Sequence, residues 1–249
     1  MERTTLTLDD ESRPHLVFLH YFGGAARTWQ WVTALLADEY QCVALDLPGF
    51  GDTPPLEKVS VKTMADWVQA EIKRRDIKRC VLIGHSMGGK IATLVAARDG
   101  ASRVVQLMLV APSPPTVERM PAKEKERMLH HPDRHEAEVT VQHGTRRALS
   151  PERYALAVET QLQIDEATWR WWLLEGMNDS IASQASKILV PITLLTSDDD
   201  PVIGPEVIQK EVQGVLPSFQ LINTEGVGHL LPLEASEWLA EHIRQSVLP

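Results

Sequence analysis

Short runs rich in Val, Ile and Leu recur along the chain, and most of them are separated by stretches with helical spacing. The runs cover residues 16–20, 42–46, 80–84, 104–110, 192–196 and 219–223. Continuous apolar strands that alternate with amphipathic helices are typical of a parallel sheet covered by helices on both faces. The pattern therefore predicts an α/β fold with a mainly parallel sheet. A polar and apolar alternation at residues 4–8 predicts an additional antiparallel edge strand.

The alternation of strands and helices stops between residues 112 and 187, where charges of both signs recur with Trp, Met and Leu at helical spacing. Prolines at 112, 114 and 115 punctuate the start of this stretch, because proline disfavours a regular ladder or helix around it. We therefore predict a helical cap inserted at 112–187 into a core domain formed by 1–111 and 188–249. No Gly/Ser linker flanks the insertion, so we expect it to pack on the core.

The charge balance narrows the range of partners. A net charge of -9 provides no broad positive field for phosphate backbones or anionic headgroups, so we expect neither nucleic acid nor a membrane as partner. No apolar run approaches the length of a membrane span, and the N-terminus lacks the apolar block of a signal peptide, which together predict a cytoplasmic protein. Cys42 and Cys80 lie in predicted strands and are expected to be reduced, with a disulfide open only if those strands are neighbours.

The sequence G-H-S-M-G at residues 84–88 directly follows the predicted strand at 80–84 and directly precedes a helical pattern at 90–98. This is the strand, sharp turn and helix in which the G-x-S-x-G motif presents a nucleophilic serine. The flanking glycines let neighbouring backbone pass close to a serine in a strained conformation. The alternative is a serine that only caps the following helix. The context favours Ser86 as a nucleophile.

A serine hydroxyl is a poor nucleophile at neutral pH and needs a base with a pKa near 7, for which histidine is the natural choice. Among the nine histidines, His229 follows the last predicted strand in the Gly-rich turn at 225–229, just ahead of the final helical pattern. The chain order serine, acid, histidine requires a late histidine of this kind. The alternative is a hydrogen-bonded histidine of the core.

The third group must hold the imidazole in the correct tautomer and stabilise it once charged, which calls for a carboxylate. Three aspartates at 198–200 follow the predicted strand at 192–196. We favour Asp200, because it lies far enough past the strand end to turn toward His229 and because Pro201 fixes the turn behind it. Asp198 and Asp199 would then be solvated charges of the loop.

Preorganised backbone N–H groups must stabilise the charge that develops on the carbonyl oxygen during attack. The residue after the nucleophile, Met87, is expected to supply one donor, and Phe22, in the loop at 20–24, is expected to supply the other. The alternative for this loop is an ordinary Gly-rich turn ahead of a helix.

Taken together, the loop at 20–24, the D-x-x-G-x-G turn at 46–52, the motif at 84–88, the aspartate loop at 198–200 and the late His229 resemble the α/β-hydrolase superfamily. The resemblance covers nearly the whole chain and is strongest to small, cap-bearing esterases and hydrolases. It implies a catalytic triad that transfers an acyl group to water without a metal or an organic cofactor. It also implies that the turn at 46–52 is structural.

One departure from the family concerns the oxyanion loop. The family usually has glycine after the histidine of this loop, whereas this sequence has His20 followed by Tyr21. The donor assignment is therefore less well defined here, and Tyr21 is a candidate for the wall of the substrate pocket.

In such enzymes the cap roofs the active site and sets the choice of substrate. Tyr154, Trp169 and Trp172 are large apolar side chains suited to lining a pocket, and their alternative role is to pack the cap on the core. A small or medium acyl compound with an apolar portion is the expected substrate. Carboxylic esters come first, followed by lactones, thioesters and amides. Acyl transfer to peroxide or an alcohol, carbon-carbon bond hydrolysis and a non-catalytic small-molecule receptor remain alternatives.

Other charged residues of the insertion do not form a recognisable motif. His131 and His135 lie four residues apart, but Pro132 interrupts a helix between them, so no metal site is predicted. Arg146 and Arg147 are expected to face solvent.

Overall fold

The computed structural model describes residues 13–248, so the edge strand predicted at residues 4–8 lies outside the described residues. The strands are β1 His15–Leu19, β2 Cys42–Leu45, β3 Cys80–His85, β4 Val104–Val110, β5 Ile192–Ser197 and β6 Gln220–Thr224. They form one parallel sheet in the order β2-β1-β3-β4-β5-β6. The predicted α/β fold with a mainly parallel sheet is confirmed.

Helices connect and flank these strands. They are α1 Gln30–Leu36, α2 Val61–Arg74, α3 Met87–Asp99, α4 Ala122–Met128, α5 Arg134–Gly144, α6 Pro151–Leu162, α7 Glu166–Leu174, α8 Ala182–Ala185, α9 Pro205–Val207, α10 Leu231–Glu234 and α11 Ser236–Ser246. Single 3-10 turns lie at Ala26–Trp29 and Gly176–Asn178, and the π-helical segment Ile208–Gln213 continues α9.

Strand β1 explains why the apolar runs are continuous. Leu16 and Phe18 pack on one face of the sheet, against residues of α1 and α11. Val17 and Leu19 pack on the other face, against residues of α2 and α3. All four side chains are fully buried, because a parallel sheet with helices on both faces leaves neither face to water.

The order of the strands determines where a site can form. Strand β1 lies between β2 and β3, so the chain first moves to one side of β1 and then crosses to the other side. The loops that leave the carboxyl ends of β1 and β3 therefore diverge, and they open a crevice at that edge of the sheet. Ligands of open α/β sheets bind at such switch points. The predicted nucleophile and oxyanion loop follow these two strands.

The segment predicted as a cap contains α4 to α8, which all lie between β4 and β5. Residues of α5 and α6 form a small apolar cluster with Tyr21 of the core and with Leu230 and Leu233 near the start of α10. The predicted helical character of this region is thus present, and its helices pack directly on the core. The division into core and cap domains stays a prediction.

The two cysteines lie on strands that are not neighbours. Cys42 belongs to β2 and Cys80 to β3, and β1 separates them, so they cannot form a disulfide with each other. Burial raises the pKa of Cys42 to about 11 and makes its thiol a weak nucleophile. Within residues 13–248, none of the helices has the length and apolar character needed to span a bilayer.

Helix α3 approaches the sheet more closely than a side chain would permit. A Cβ atom on Gly88 would lie 2.5 Å from the carbonyl oxygen of His20 and 2.7 Å from that of Leu19. A Cβ on Gly84 would lie 2.4 Å from the carbonyl oxygen of Gly88. Because the obstructing atoms belong to backbone, they cannot move aside cheaply. The contact requires glycine at both positions.

We expect Gly88→Ala to lower the free energy of unfolding by about 2 to 3 kcal/mol, because the added methyl group overpacks the contact between α3 and β1. Chemical denaturation of the variant and the wild type measures this difference. Gly204→Ala is the matched control, since its Cβ would meet only the carbonyl oxygen of Asp200, at 3.5 Å, and its φ of -68° suits any residue. Equal stability of the two variants would contradict the steric argument.

Candidate active site

Ser86 lies in the turn between β3 and α3, in a backbone conformation that non-glycine residues rarely adopt. Its φ is 52° and its ψ is -118°, which stores strain of about 1 to 3 kcal/mol. Its backbone N–H donates to the carbonyl oxygen of Val110, and its carbonyl oxygen accepts from the N–H of Gly89 and Ser113. Its hydroxyl does not cap α3, which removes the main support for a purely structural role.

The hydroxyl of Ser86 instead faces an imidazole. The Nε2 atom of His229 lies 2.8 Å from Ser86 Oγ, and the Nδ1 atom of His229 lies 2.8 Å from Asp200 Oδ2. A carboxylate can only accept, so Nδ1 carries the proton and Nε2 is left to accept from the serine hydroxyl. The structure therefore brings together the three predicted residues in the order required to activate the hydroxyl.

The pKa values of His229 and Asp200 follow from the surroundings of the two side chains. Burial acts to lower the pKa of His229, but the charge and hydrogen bond of Asp200, together with two further carboxylates, outweigh burial and raise that pKa above its ordinary value. Burial acts to raise the pKa of Asp200, but the attraction and hydrogen bond to His229, together with two backbone N–H donors, outweigh burial and lower that pKa. Both shifts favour a carboxylate that holds and stabilises the imidazolium.

Only one of the three candidate aspartates reaches the imidazole. Asp200 is buried, and its second oxygen, Oδ1, accepts from the backbone N–H groups of Val202 and Ile203 at 2.8 and 2.9 Å. Asp198 and Asp199 are exposed, as expected for loop charges. Asp199 has a role of its own, because its Oδ2 accepts from the N–H of Gly226 at 2.6 Å, in the loop that leads to His229.

The loop after β1 is held by a buried histidine. His20 Nε2 accepts from the N–H of Leu47 at 3.1 Å, which leaves Nδ1 to donate to the carbonyl oxygen of Tyr21 at 2.8 Å. Burial lowers the pKa of His20 to about 4, so the ring stays neutral and keeps this tautomer. In the turn that follows β2, Asp46 Oδ1 accepts from the N–H of Ala26 at 2.6 Å, which fits the structural role expected for this turn.

The two predicted oxyanion donors lie on the loops that leave β1 and β3. Among the described residues, the backbone N–H groups of Phe22 and Met87 make no hydrogen bond within the protein. Donors in this condition can serve a charge that develops only during a reaction. Their roles stay predictions.

The aromatic residues predicted for the pocket fall into two groups. The ring of Phe22 lies 4.2 Å from that of Trp169 and 6.1 Å from that of Trp172, measured between centroids. The ring of Tyr21, which is buried, lies 5.1 Å from the ring of His85. Tyr154 is half-buried in the apolar cluster with residues of α5 and α6, where its hydroxyl lies 3.5 Å from the amide nitrogen of Gln142. Trp169 and Trp172 are buried and pack against Phe22 of the loop at 20–24, and Tyr154 packs within the helical region. The pocket roles of these residues stay predictions.

Two charged residues near the nucleophile have no predicted role. Lys90, one turn into α3, is fully buried and donates to the carbonyl oxygen of Thr116 at 2.9 Å, and burial lowers its pKa to about 8. Glu118 accepts a hydrogen bond from the hydroxyl of Ser113, and burial raises its pKa. Because the N–H of Ser113 donates to Ser86, this pair of charges borders the predicted site. Glu234, a buried carboxylate, accepts a hydrogen bond from the N–H of Gly228, the residue before His229.

The histidines of the insertion do not converge. His131 stacks on Trp169 at 4.4 Å and its Nε2 lies 2.9 Å from the carbonyl oxygen of Ile164. Across the part of the chain that the structure describes, no group of three or more His, Cys, Asp or Glu side chains is arranged to hold a metal ion.

Known proteins with related sequences match different shares of the chain. An uncharacterized hydrolase of Bacillus subtilis is 28% identical over an alignment of 254 positions, which covers 93% of this chain and 89% of the relative. A pimeloyl-[acyl-carrier protein] methyl ester esterase of Proteus mirabilis is 34% identical over 42% of this chain. The match spans only 38% of that esterase, and as little as 16% of other curated relatives.

Solved structures share the fold at lower identity. An esterase from Exiguobacterium antarcticum superposes with a TM-score of 0.86 at 17% identity, covering 94% of this chain and 91% of the esterase. The sequence profile that describes the alpha/beta hydrolase family matches residues 16–242, which is most of the chain. The protein therefore belongs to the alpha/beta hydrolase family.

Proposed function

We propose that the protein is a serine hydrolase of the carboxylesterase type. The observation that carries this proposal is the unbroken row of hydrogen bonds from Asp200 through His229 to the hydroxyl of Ser86. An oriented, neutral imidazole at 2.8 Å is within reach of the proton that must leave the hydroxyl during attack.

In the first half of the reaction, Ser86 Oγ attacks the acyl carbon while its proton passes to His229 Nε2. The carbonyl oxygen becomes an oxyanion, which the N–H groups of Phe22 and Met87 stabilise. The tetrahedral intermediate then collapses, the bond to the leaving alcohol breaks, and the alcohol oxygen takes the proton from His229. Asp200 stays ionised throughout and stabilises the imidazolium.

In the second half, a water molecule attacks the acyl-enzyme and gives one proton to His229 Nε2. Collapse of the second tetrahedral intermediate breaks the bond to Ser86 Oγ, which regains its proton from the imidazole. The free acid leaves, and the protein returns to its starting state. The cycle uses no metal or organic cofactor.

The substrate class is a small or medium carboxylic ester with an apolar portion, or a related lactone, thioester or amide. The aromatic cluster that the buried Trp169 and Trp172 form with Phe22 of the proposed oxyanion loop supports an apolar portion. The methyl ester named for the Proteus mirabilis relative supports an ester, although that relative aligns over part of its length only. The proposal treats 112–187 as a cap over this site and includes a cytoplasmic location.

Ser86→Ala is expected to lower kcat/KM for p-nitrophenyl acetate by a factor of roughly 10⁴ to 10⁶, because the hydroxyl contributes chemistry and little packing. A fluorophosphonate probe should label the wild type once and leave S86A unlabelled, as intact-mass measurement would report. The matched control is Ser113→Ala, which removes the hydroxyl of a buried serine beside the site and should remain labelled. Labelling of S86A would refute the assignment of the nucleophile.

A screen of esters with varied acyl and alcohol parts then defines the substrate.

Asp200→Asn is expected to lower kcat by about 10³- to 10⁴-fold, because an amide no longer stabilises the imidazolium or fixes its tautomer. Asp198→Asn is the matched control in the same loop, where the side chain is exposed, and should keep wild-type kcat. Steady-state kinetics on both variants distinguishes them. A large loss in D198N with a small loss in D200N would show that another aspartate orients the histidine.

The pH profile of kcat/KM should report His229, which acts as a base only when it is neutral. Because the pKa of His229 is raised, activity should fall as the pH drops through a midpoint above the ordinary histidine value of about 6.5. In D200N the main raising charge is gone while burial persists, so the midpoint should move to lower pH. A wild-type profile that stays flat down to about pH 5.5 would contradict the assigned base.

A further inference from the structure

Glu234 ends α10 and is one of the few buried carboxylates of the described residues, with 8% of its surface exposed. Its Oε2 atom accepts three backbone hydrogen bonds, from the N–H groups of Arg146 and Arg147 at 2.8 Å each and of Gly228 at 3.0 Å. Hydrogen bonds to a charged acceptor are stronger than neutral ones. Through these three hydrogen bonds, Glu234 connects the two segments of the chain that supply the donors.

Those segments are distant in sequence and differ in function. One is the turn at 144–147, which follows α5 in the helical region between β4 and β5. The other is the loop at 226–229, which ends on His229. Two further bonds join them: the N–H of His229 donates to the carbonyl oxygen of Gly144 at 2.7 Å, and Arg147 Nε donates to that of Gly226 at 2.8 Å.

The two segments are also packed without space for a side chain between them. A Cβ on Gly228 would lie 2.5 Å from the carbonyl oxygen of Gly144 and 2.8 Å from the backbone nitrogen of Arg146. The histidine loop thus rests directly on the helical region. A displacement of one segment must move the other or break the bonds to Glu234.

We propose that Glu234 is a positioning residue for His229, which keeps the imidazole in line with Ser86 by tying the histidine loop to the turn at 144–147. This inference rests on the proposed function, because positioning matters only if His229 is the base. It adds that the helical region does more than cover the site, since its seating on the core sets the geometry of the base.

Glu234 also acts on His229 through its charge. Four ionisable groups face the imidazole from different elements: Asp200 after β5, Glu118 after β4, Glu234 on α10 and the neutral His85 on β3. Each of the three carboxylates raises the pKa of His229. Geometry and charge can therefore be changed separately at residue 234.

Two conservative substitutions separate these effects. Glu234 Oε1 has no hydrogen-bond partner in the described structure, so in Glu234→Gln the amide oxygen can keep the three N–H donors while the NH₂ group takes the position of Oε1. This variant loses the charge and keeps the geometry. Glu234→Asp keeps the charge, but its side chain is one methylene shorter and cannot hold the same three donors.

We expect Glu234→Asp to lower kcat for p-nitrophenyl acetate by about 10- to 100-fold, as displacement of a catalytic group by about 1 Å does. In this variant, the pH at which kcat/KM falls on the acid side of the profile should not move to lower values. Glu234→Gln should keep kcat within about threefold, because three neutral hydrogen bonds remain, and its acid limb should move to lower pH. Glu237→Gln is the matched control, since Glu237 lies three residues on with its side chain 76% exposed, and both quantities should stay at wild-type values.

Hydrogen exchange measured by mass spectrometry provides a readout that does not depend on turnover. In E234D, exchange in peptides that cover 144–147 and 226–229 should accelerate together, while exchange in β3 stays at the wild-type rate. Wild-type kcat and exchange in E234D would overturn the proposal, and so would acceleration confined to one segment or spread over the whole chain. If the wild type lacked Ser86-dependent turnover, the proposed function would fail. The exchange rates of 144–147 and 226–229 in E234D would still show whether Glu234 holds these two segments together.

Discussion

The backbone contact between the start of α3 and the end of β1 is the constraint on which the site depends. Because Gly88 carries no side chain, α3 can lie against the carbonyl oxygens of Leu19 and His20. The turn at Ser86, which leads into this contact, has a positive φ, and its hydroxyl does not cap α3. The close approach also brings the start of α3 against His20, where the loop that follows β1 begins. The same contact therefore holds the turn at Ser86 close to the loop that follows β1.

Much of the fold and part of the site could be predicted because they depend on local patterns. Burial on both faces makes each strand a continuous apolar run, and a sharp turn between strand and helix requires glycines around Ser86. His229 could be selected because chain order requires a late histidine. The choice among three consecutive aspartates was harder, because it depends on how the loop turns. Asp200 is the one whose Oδ1 is held by the N–H groups of Val202 and Ile203, which leaves Oδ2 for the histidine.

The residues that sequence reasoning missed are those whose partners are distant. Glu234 binds the backbone of Arg146 and Arg147, and Lys90 binds the carbonyl oxygen of Thr116, so neither pairing follows a helical or strand period. Arg146 and Arg147 are exposed, as expected, and what the sequence did not reveal is that their backbone N–H groups donate to Glu234. One signal was available for Glu234, since it is the single charge in the apolar stretch at 230–235. A charge placed there must find buried partners.

The contact between Phe22 and Trp169 has a consequence for the redesign of this protein. Phe22 is the proposed backbone donor to the oxyanion, and its ring packs on an indole of the helical region. Because Trp169 is buried, a smaller residue there would leave a cavity and remove the packing that supports Phe22 and its amide. Under the proposed function, a substitution made at 169 to alter substrate choice would therefore also disturb the proposed donor, and a second substitution would be needed to restore the packing of Phe22.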